Sequence, residues 1–287
     1  MRLFKRAAII GVGLIGGSIG LAIKKKGLAK EVIGIGHRRE SILRALKTGA
    51  IDKGYLDLSK IKDADLVILA APVSQIIKSL PRLRKFINND CVVIDVGSTK
   101  SEIIKVAAKS GIEFIGCHPL AGMEKGGAQN AKSEIFKNSL CLLVPLKDTR
   151  KGALDKIQRL WRELGARTKI LDARNHDRIL AFVSHLPHAV VFALIDCLRL
   201  DYLSYGSSGL KDTTRIGLSG PLLWRDIFLT NRKELIKAIK EFKSSLARLE
   251  FFLKSSQPRK LGAYIKRAGN KSRTFILQRR FREKGAG

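Results

Sequence analysis

The residues that build metal centres, disulfide frameworks and nucleic-acid platforms are scarce in this chain. Four cysteines occur in 287 residues. Cys91, Cys117, Cys141 and Cys197 follow no metal-ligand spacing, so free thiols are expected. His185 and His188 stand close together, but no carboxylate or cysteine motif completes a ligand set, and no metal is expected. Aromatic residues make up only 6%, without the aromatic signature of RNA-binding sheets. Acidic residues are few as well, 25 against 55 basic ones, for a net charge of +30. The cations run along the whole chain instead of gathering on one motif. That distribution predicts a basic surface that draws small anions, and no specific nucleic-acid partner. A long uninterrupted apolar run is also missing. The nearest approach, residues 176–198, is broken by Asp177, Arg178, His185, Pro187, His188 and Asp196. It predicts a buried helix in a bundle, kinked at Pro187, and no membrane span. The N-terminus, Met1 to Arg6, passes into a strand pattern without the features of a signal peptide, so a cytoplasmic protein is expected.

Hydrophobic residues make up 45%, enough for a sizeable core. From residue 7 to about 145, short β-branched runs alternate with helical patterns, which predicts a parallel sheet flanked by helices. Strands are expected at 7–10, 32–35, 66–69, 92–95, 113–115, 140–144 and 168–171, with helices at 14–26, 40–46, 73–80, 100–108 and 153–163. Beyond residue 175 the pattern is helical. Leu235, Ile239, Phe242, Leu246, Leu249 and Leu253 recur at steps of four and three, a seam that needs a facing helix from the same chain or from a twin. After Ser255 the chain is strongly basic, and a helix fraying into a mobile end is expected. The fold class is therefore an α/β Rossmann-type nucleotide-binding domain over residues 1–172. An all-α helical substrate and dimerisation domain with a basic tail follows over residues 173–287, and a homodimer is expected.

Gly11-Val12-Gly13-Leu14-Ile15-Gly16 follows the first strand and opens a helix. Gly11 suits the tight turn and Gly13 a close backbone approach to a pyrophosphate. Gly16 lets the helix lie against the strand, and the N–H groups of its first turn, around Leu14 and Ile15, face the phosphates. Ala71 and Pro72, just past the strand at 66–69, continue this cofactor edge, and Pro72 starts a helix. At the end of the second strand the carboxylate typical of NAD sites is absent. Ile35-Gly36-His37-Arg38-Arg39 stands there instead, and its cations suit a 2′-phosphate. NAD or NADP is expected, with NADP favoured.

Val96-Gly97-Ser98-Thr99-Lys100 and Gly116-Cys117-His118-Pro119-Leu120-Ala121-Gly122-Met123-Glu124 each follow a strand. Farther on come Ser184-His185-Leu186-Pro187-His188, Lys211-Asp212-Thr213-Thr214-Arg215-Ile216 and Leu223-Trp224-Arg225-Asp226. Together with the glycine loop these closely resemble the prephenate/arogenate dehydrogenase family, over about residues 7–250. The resemblance implies oxidative decarboxylation of prephenate to 4-hydroxyphenylpyruvate in tyrosine biosynthesis, or of arogenate to tyrosine. It implies His118 as acceptor of the ring-hydroxyl proton. Ser98 would sit beside that hydroxyl and the nicotinamide, or cap the helix at 100–108. Arg215 would bind a substrate carboxylate, and His185 would meet the substrate's side-chain end. Glu124 would be a gate, an ion-pair partner or a surface acid, and Trp224 would close the pocket or pack. His188 has no such support and is read as packing. A different two-domain hydroxyacid or imine reductase would carry a lysine on the long helix, where Ser184 and His185 stand here. A nucleotide sensor or nucleic-acid binder would not need His118, Ser98 and Arg215 together.

Overall fold

The computed structural model describes residues 2–122 and 127–284. The chain forms two compact units, residues 1–232 and 233–287. The first unit opens with β1 (Phe4–Ile10), α1 (Leu14–Lys25), β2 (Ala29–Ile35), α2 (Arg39–Lys47), β3 (Lys53–Tyr55) and β4 (Leu66–Leu69). It continues through α3 (Val73–Leu83), β5 (Val92–Asp95), α4 (Ser101–Ala107), β6 (Glu113–Pro119), β7 (Leu140–Pro145), α5 (Lys151–Glu163) and β8 (Arg167–Ile170). The eight strands form one sheet in the order β3-β2-β1-β4-β5-β6-β7-β8. All neighbours pair in parallel except β6 with β7.

Alternation along each strand sends successive side chains to opposite faces. Ile9, Leu66, Ile68, Val92 and Ile94 enter one apolar core. Ala8, Val67, Leu69 and Val93 enter a second. With both faces covered, the central strands read as continuous apolar runs. The three-residue β3 escaped the sequence reading because Lys53-Gly54-Tyr55 is too short and too polar to show a period. Strand β6 runs four residues past its expected end, because the antiparallel β7 continues to pair with it through Pro119↔Cys141.

Helices α6 (Ala173–Leu180) and α7 (Leu186–Cys197) follow, joined by one turn of π-helix, Ala181–His185. Pro187 lies in the first turn of α7. Proline lacks an N–H and its ring crowds the carbonyl four residues back, so the helix widens there instead of breaking. The run Ala173–Cys197 spans 25 residues, and its most apolar 18-residue window has a mean hydropathy of 1.8, yet only 22% of that window is buried. The expected buried helix is thus largely uncovered within one chain, and Ile179, Val183 and Ile195 are exposed. Length and hydropathy alone would suit a membrane span, but His176, Asp177 and His185 on its buried side interrupt the apolar run. Helices α8 (Ser208–Thr214) and α9 (Pro221–Thr230) complete this unit.

The second unit consists of most of α10 (Arg232–Lys254) and α11 (Pro258–Lys284). The two helices fold back on each other, so that the Ser245 hydroxyl meets the Tyr264 hydroxyl at 2.8 Å. Phe252 and Tyr264 pack edge to face. Phe242, Leu246 and Leu253 of the expected seam are exposed. The tail, expected to fray, is helical as far as Lys284.

Candidate active site

Parallel pairing brings the C-terminal ends of β1, β4, β5 and β6 to one edge of the sheet. The chain leaves β1 for β2 on one side and reaches β4 on the other, which opens a crevice between the loops after β1 and β4. Ligands of doubly wound sheets bind at such a switch point. Gly11, at φ +97°, lies so close to β4 that a Cβ there would stand 2.4 Å from the Ala70 carbonyl oxygen. A Cβ on Gly16 would stand 2.1 Å from the Gly11 carbonyl oxygen. Gly13 differs, because a Cβ there would meet nothing within 4 Å. Gly13 precedes α1, no side chain caps that helix, and its first turn contains no acid. The first turn, with Leu14 and Ile15, is thus left without a capping side chain and with space at Gly13, the conditions a dinucleotide pyrophosphate requires. Ala71 and Pro72 border the same crevice, with Pro72 at the N-cap of α3. His37 and Arg38 lie exposed just past β2.

His118 lies within β6, paired with Leu142. Its Nδ1 is 3.0 Å from Nε2 of His176. Nδ1 of His176 is 2.8 Å from Oδ1 of Asp177. The same Oδ1 accepts the backbone N–H of Lys100 at 2.8 Å, and Oδ2 accepts that of Ser101 at 2.8 Å. Asp177 thereby caps α4 from α6. Ser98 is not the cap, and its half-buried hydroxyl has no hydrogen-bond partner among the described residues. The loop that carries Ser98 is held from below by Lys100, which is wholly buried. Its ammonium donates to Asp95 Oδ2 at 2.7 Å and to the carbonyls of Gly97 and Thr99 at 2.8 and 3.2 Å. A buried ammonium needs all three of these acceptors, so the loop cannot move without stranding it.

Helix α9 locks onto the same edge. Asp226 Oδ2 accepts the N–H of Ser74 at 3.0 Å in the first turn of α3, and Thr99 bonds Thr230 at 3.0 Å. His185 is buried, with its Nδ1 3.1 Å from the Asn231 amide nitrogen and its ring edge-on to Trp224. Asn231 also donates to the Asp177 carbonyl at 2.8 Å. Trp224 is buried in a cluster with Phe192 and Phe228 and stacks on His188 at 3.5 Å between centroids. His188 packs, as expected, and its Nδ1 lies 3.0 Å from the Ser184 carbonyl. Arg215 is exposed at the end of α8. Glu124 lies outside the described residues.

Burial, with the neighbouring His176, Lys100 and His185, holds the His118 pKa well below 6.5. His176 is lowered mainly by burial, against the opposing pull of Asp177, and burial takes His185 down to about 4. Although burial opposes it, Asp177 is held below the usual carboxylate value by its bonds to His176 and Ser101. At neutral pH the edge thus presents neutral imidazoles on an ionised carboxylate. The consequence for stability has a definite sign. Below the ordinary imidazole value the unfolded chain binds more protons than the folded one, so stability is lost as pH falls from about 6.5 toward the depressed folded values. The melting temperature is expected to drop across this window, and a flat profile between pH 6.5 and 4 would contradict the burial of these rings.

His176, Asp177, Lys100 and Asn231 were not singled out from sequence as parts of the site. The signal was an adjacent His-Asp pair inside an apolar helix, since buried polar groups must find partners.

Residues 19–170 match the family model "Prephenate dehydrogenase, nucleotide-binding domain". Residues 172–267 match "Prephenate dehydrogenase, dimerization domain". The chain belongs to the prephenate dehydrogenase family. It is 33% identical to the prephenate dehydrogenase of Bacillus subtilis over 91% of this chain and 73% of that one. It is 31% identical to the cyclohexadienyl dehydrogenase of Zymomonas mobilis, over 87% and 88%. Among solved structures, prephenate dehydrogenase from A. aeolicus in complex with hydroxyphenyl propionate and NAD+ superposes with a TM-score of 0.90 at 32% identity. That match covers 94% of this chain and 98% of the other. The family's two parts meet between residues 170 and 172, just before α6.

Proposed function

We propose that this chain catalyses the oxidative decarboxylation of prephenate to 4-hydroxyphenylpyruvate with a nicotinamide dinucleotide, a step of tyrosine biosynthesis. The observation that carries the reading is a half-buried imidazole at the C-terminal end of β6, its pKa held well below 6.5, on the sheet edge that also bears the open glycine cradle. The cofactor would be held by Gly11, Gly13, Leu14, Ile15 and Gly16, with Ala71, Pro72 and Ser98 beside it. When bound, it supplies the acceptor for the hydride that leaves the hydroxyl-bearing ring carbon. His118 takes the proton of that hydroxyl, which it can do because it is uncharged. Loss of the ring carboxylate as carbon dioxide makes the ring aromatic, and the proton returns to the oxygen as the phenol forms. Ser98 donates to or accepts from the same oxygen. Aromatisation supplies the driving force, so the protein chiefly positions the groups and holds charge.

Arg215 is assigned to a substrate carboxylate, for which its planar fork gives two-point contact. We assign His185 to the wall at the substrate's side-chain end and Trp224 to the support behind it. Glu124 is retained as a gate or ion-pair partner. The exposed His37 and Arg38 favour NADP, although the A. aeolicus relative is described with NAD+. The border at residue 173 separates the nucleotide-binding part from the substrate and dimerisation part. The uncovered apolar surface of α6, α7 and α10 and the match to a dimerization domain support a homodimer. The free cysteines suit a reducing, cytoplasmic setting.

Arogenate carries an ammonium group where prephenate carries a keto group, and an arogenate dehydrogenase from Synechocystis shares the fold at 26% identity. Initial rates with prephenate or arogenate, each with NAD or NADP, test the assignment. The highest kcat/KM is expected with prephenate and NADP. No turnover in any mixture would refute the reaction, and a strong NAD preference would remove the NADP assignment.

A further inference from the structure

We propose that His176 and Asp177 are positioning residues that dictate which ring nitrogen of His118 is basic. The proposal rests on the proposed function for the role of His118, and on the observed chain Asp177–His176–His118 for its logic. Both oxygens of Asp177 accept backbone N–H groups at the start of α4. An ionised carboxylate only accepts. The ring nitrogen of His176 at 2.8 Å from Oδ1 must therefore carry the proton. A neutral imidazole has one N–H and one lone pair, so Nε2 of His176 is an acceptor. The nitrogen it faces at 3.0 Å, Nδ1 of His118, must then be the donor. That leaves Nε2 of His118 with the free lone pair. Every link is forced by the one before it, and the first link is anchored by two main-chain groups.

Had the ring of His118 carried its proton on Nε2, it would face the substrate hydroxyl with a donor and could not act as a base. The relay excludes that tautomer, because it would set two lone pairs against each other at 3.0 Å. When His118 gains a proton, its Nδ1–H stays on His176, and the carboxylate one ring away stabilises the imidazolium. The charged and titratable groups around the relay are Asp95 and Lys100 from the β5 edge and His185 from the π-turn. Asn231 fastens the carbonyl of Asp177 from the end of α9.

Asp177→Asn is the discriminating variant. It keeps the shape; with its amide nitrogen in the place of Oδ1 it donates to Nδ1 of His176 and reverses both tautomers downstream, losing the Lys100 N–H bond while its oxygen keeps that of Ser101. A reversed tautomer in the comparable serine-protease relay lowers kcat by about 10⁴-fold. The expected result here is a kcat loss on the order of 10²–10⁴-fold with KM and cofactor affinity unchanged. His176→Gln, which retains an acceptor for His118 but loses the link to Asp177, is expected to lose less than His176→Ala. Nitrogen-15 NMR of histidine-labelled protein without substrate reads the tautomer directly. His118 is expected as the Nδ1–H form in the wild type and as the Nε2–H form in Asp177→Asn. An Nε2–H form in the wild type, or an Asp177→Asn variant with unchanged tautomer and unchanged kcat, would overturn the proposal. Because the NMR measurement needs no substrate, a wild-type protein with the expected tautomer but no turnover of prephenate would sink the reaction and leave the relay standing.

Discussion

Replacing His118 by Asn is expected to lower kcat by about 10²–10⁴-fold, the usual cost of removing a general base. The side chain of Asn reaches about as far as Nδ1 of the imidazole, so the variant can keep the contact with His176 now made at 3.0 Å. What it loses is the far edge of the ring, the nitrogen that would face the substrate hydroxyl. The relay, the α4 cap and the glycine crevice lie on the other side or on other strands. KM, cofactor affinity and melting temperature should therefore change little. A selective loss in kcat separates a proton acceptor from a histidine that merely fills space, since a space-filling ring would be missed first in stability. The wild-type rate should also hold through neutral pH and fall only well below 6.5, because burial and the neighbouring His176, Lys100 and His185 disfavour protonation of this ring. Steady-state kinetics with calorimetric melting would check this, and an unchanged kcat would remove His118 from the chemistry.

Gly13→Asp should abolish cofactor binding without unfolding the protein, with a loss of affinity of roughly 10²-fold or more, equivalent to about 3 kcal/mol. A Cβ at this position meets nothing within 4 Å, and φ is −82°, so the fold accepts a side chain there without strain. An aspartate would even suit the bare helix N-terminus as a cap. Any harm must then come from something absent in the free protein that needs the space and carries negative charge. A pyrophosphate meets both conditions. The contrast is Gly11, where the +97° φ and the Ala70 carbonyl make any side chain disruptive to the fold itself. Titration of cofactor fluorescence with parallel melting curves would read both quantities. Tight cofactor binding by the Gly13→Asp protein would place the dinucleotide elsewhere.

The central strands of the first unit were legible because each is an apolar run bounded by glycine, proline or charge, whereas the short, polar β3 was not. The glycine loop was legible because strand, turn and helix follow in immediate succession. His118 and Ser98 were singled out through motifs local to the ends of two strands. The relay behind them was not, because it depends on tertiary proximity. His118 and His176 are 58 residues apart, and Lys100 and Asp177 are 77 apart, and no local period records such a meeting. Ser98 was open to a capping role on sequence grounds. Only the fold shows that Asp177 occupies the cap, and the hydroxyl has no partner among the described residues. His185 and Trp224 followed the same pattern: their positions in the chain suggested contact with a substrate, and the structure adds that both are buried among aromatic rings and Asn231. The apolar helix from 173 to 197 looked like a core element because composition reports hydrophobicity and not what covers it. In the single chain most of that helix is left unburied, the face that the proposed homodimer would cover.

The most direct test is a crystal structure with 4-hydroxyphenylpyruvate and the oxidised dinucleotide bound. The account predicts Nε2 of His118 within hydrogen-bond reach of the phenolic oxygen, with Nδ1 still on His176. A phenolic oxygen held by other groups, with the His118 ring turned from it, would contradict the account.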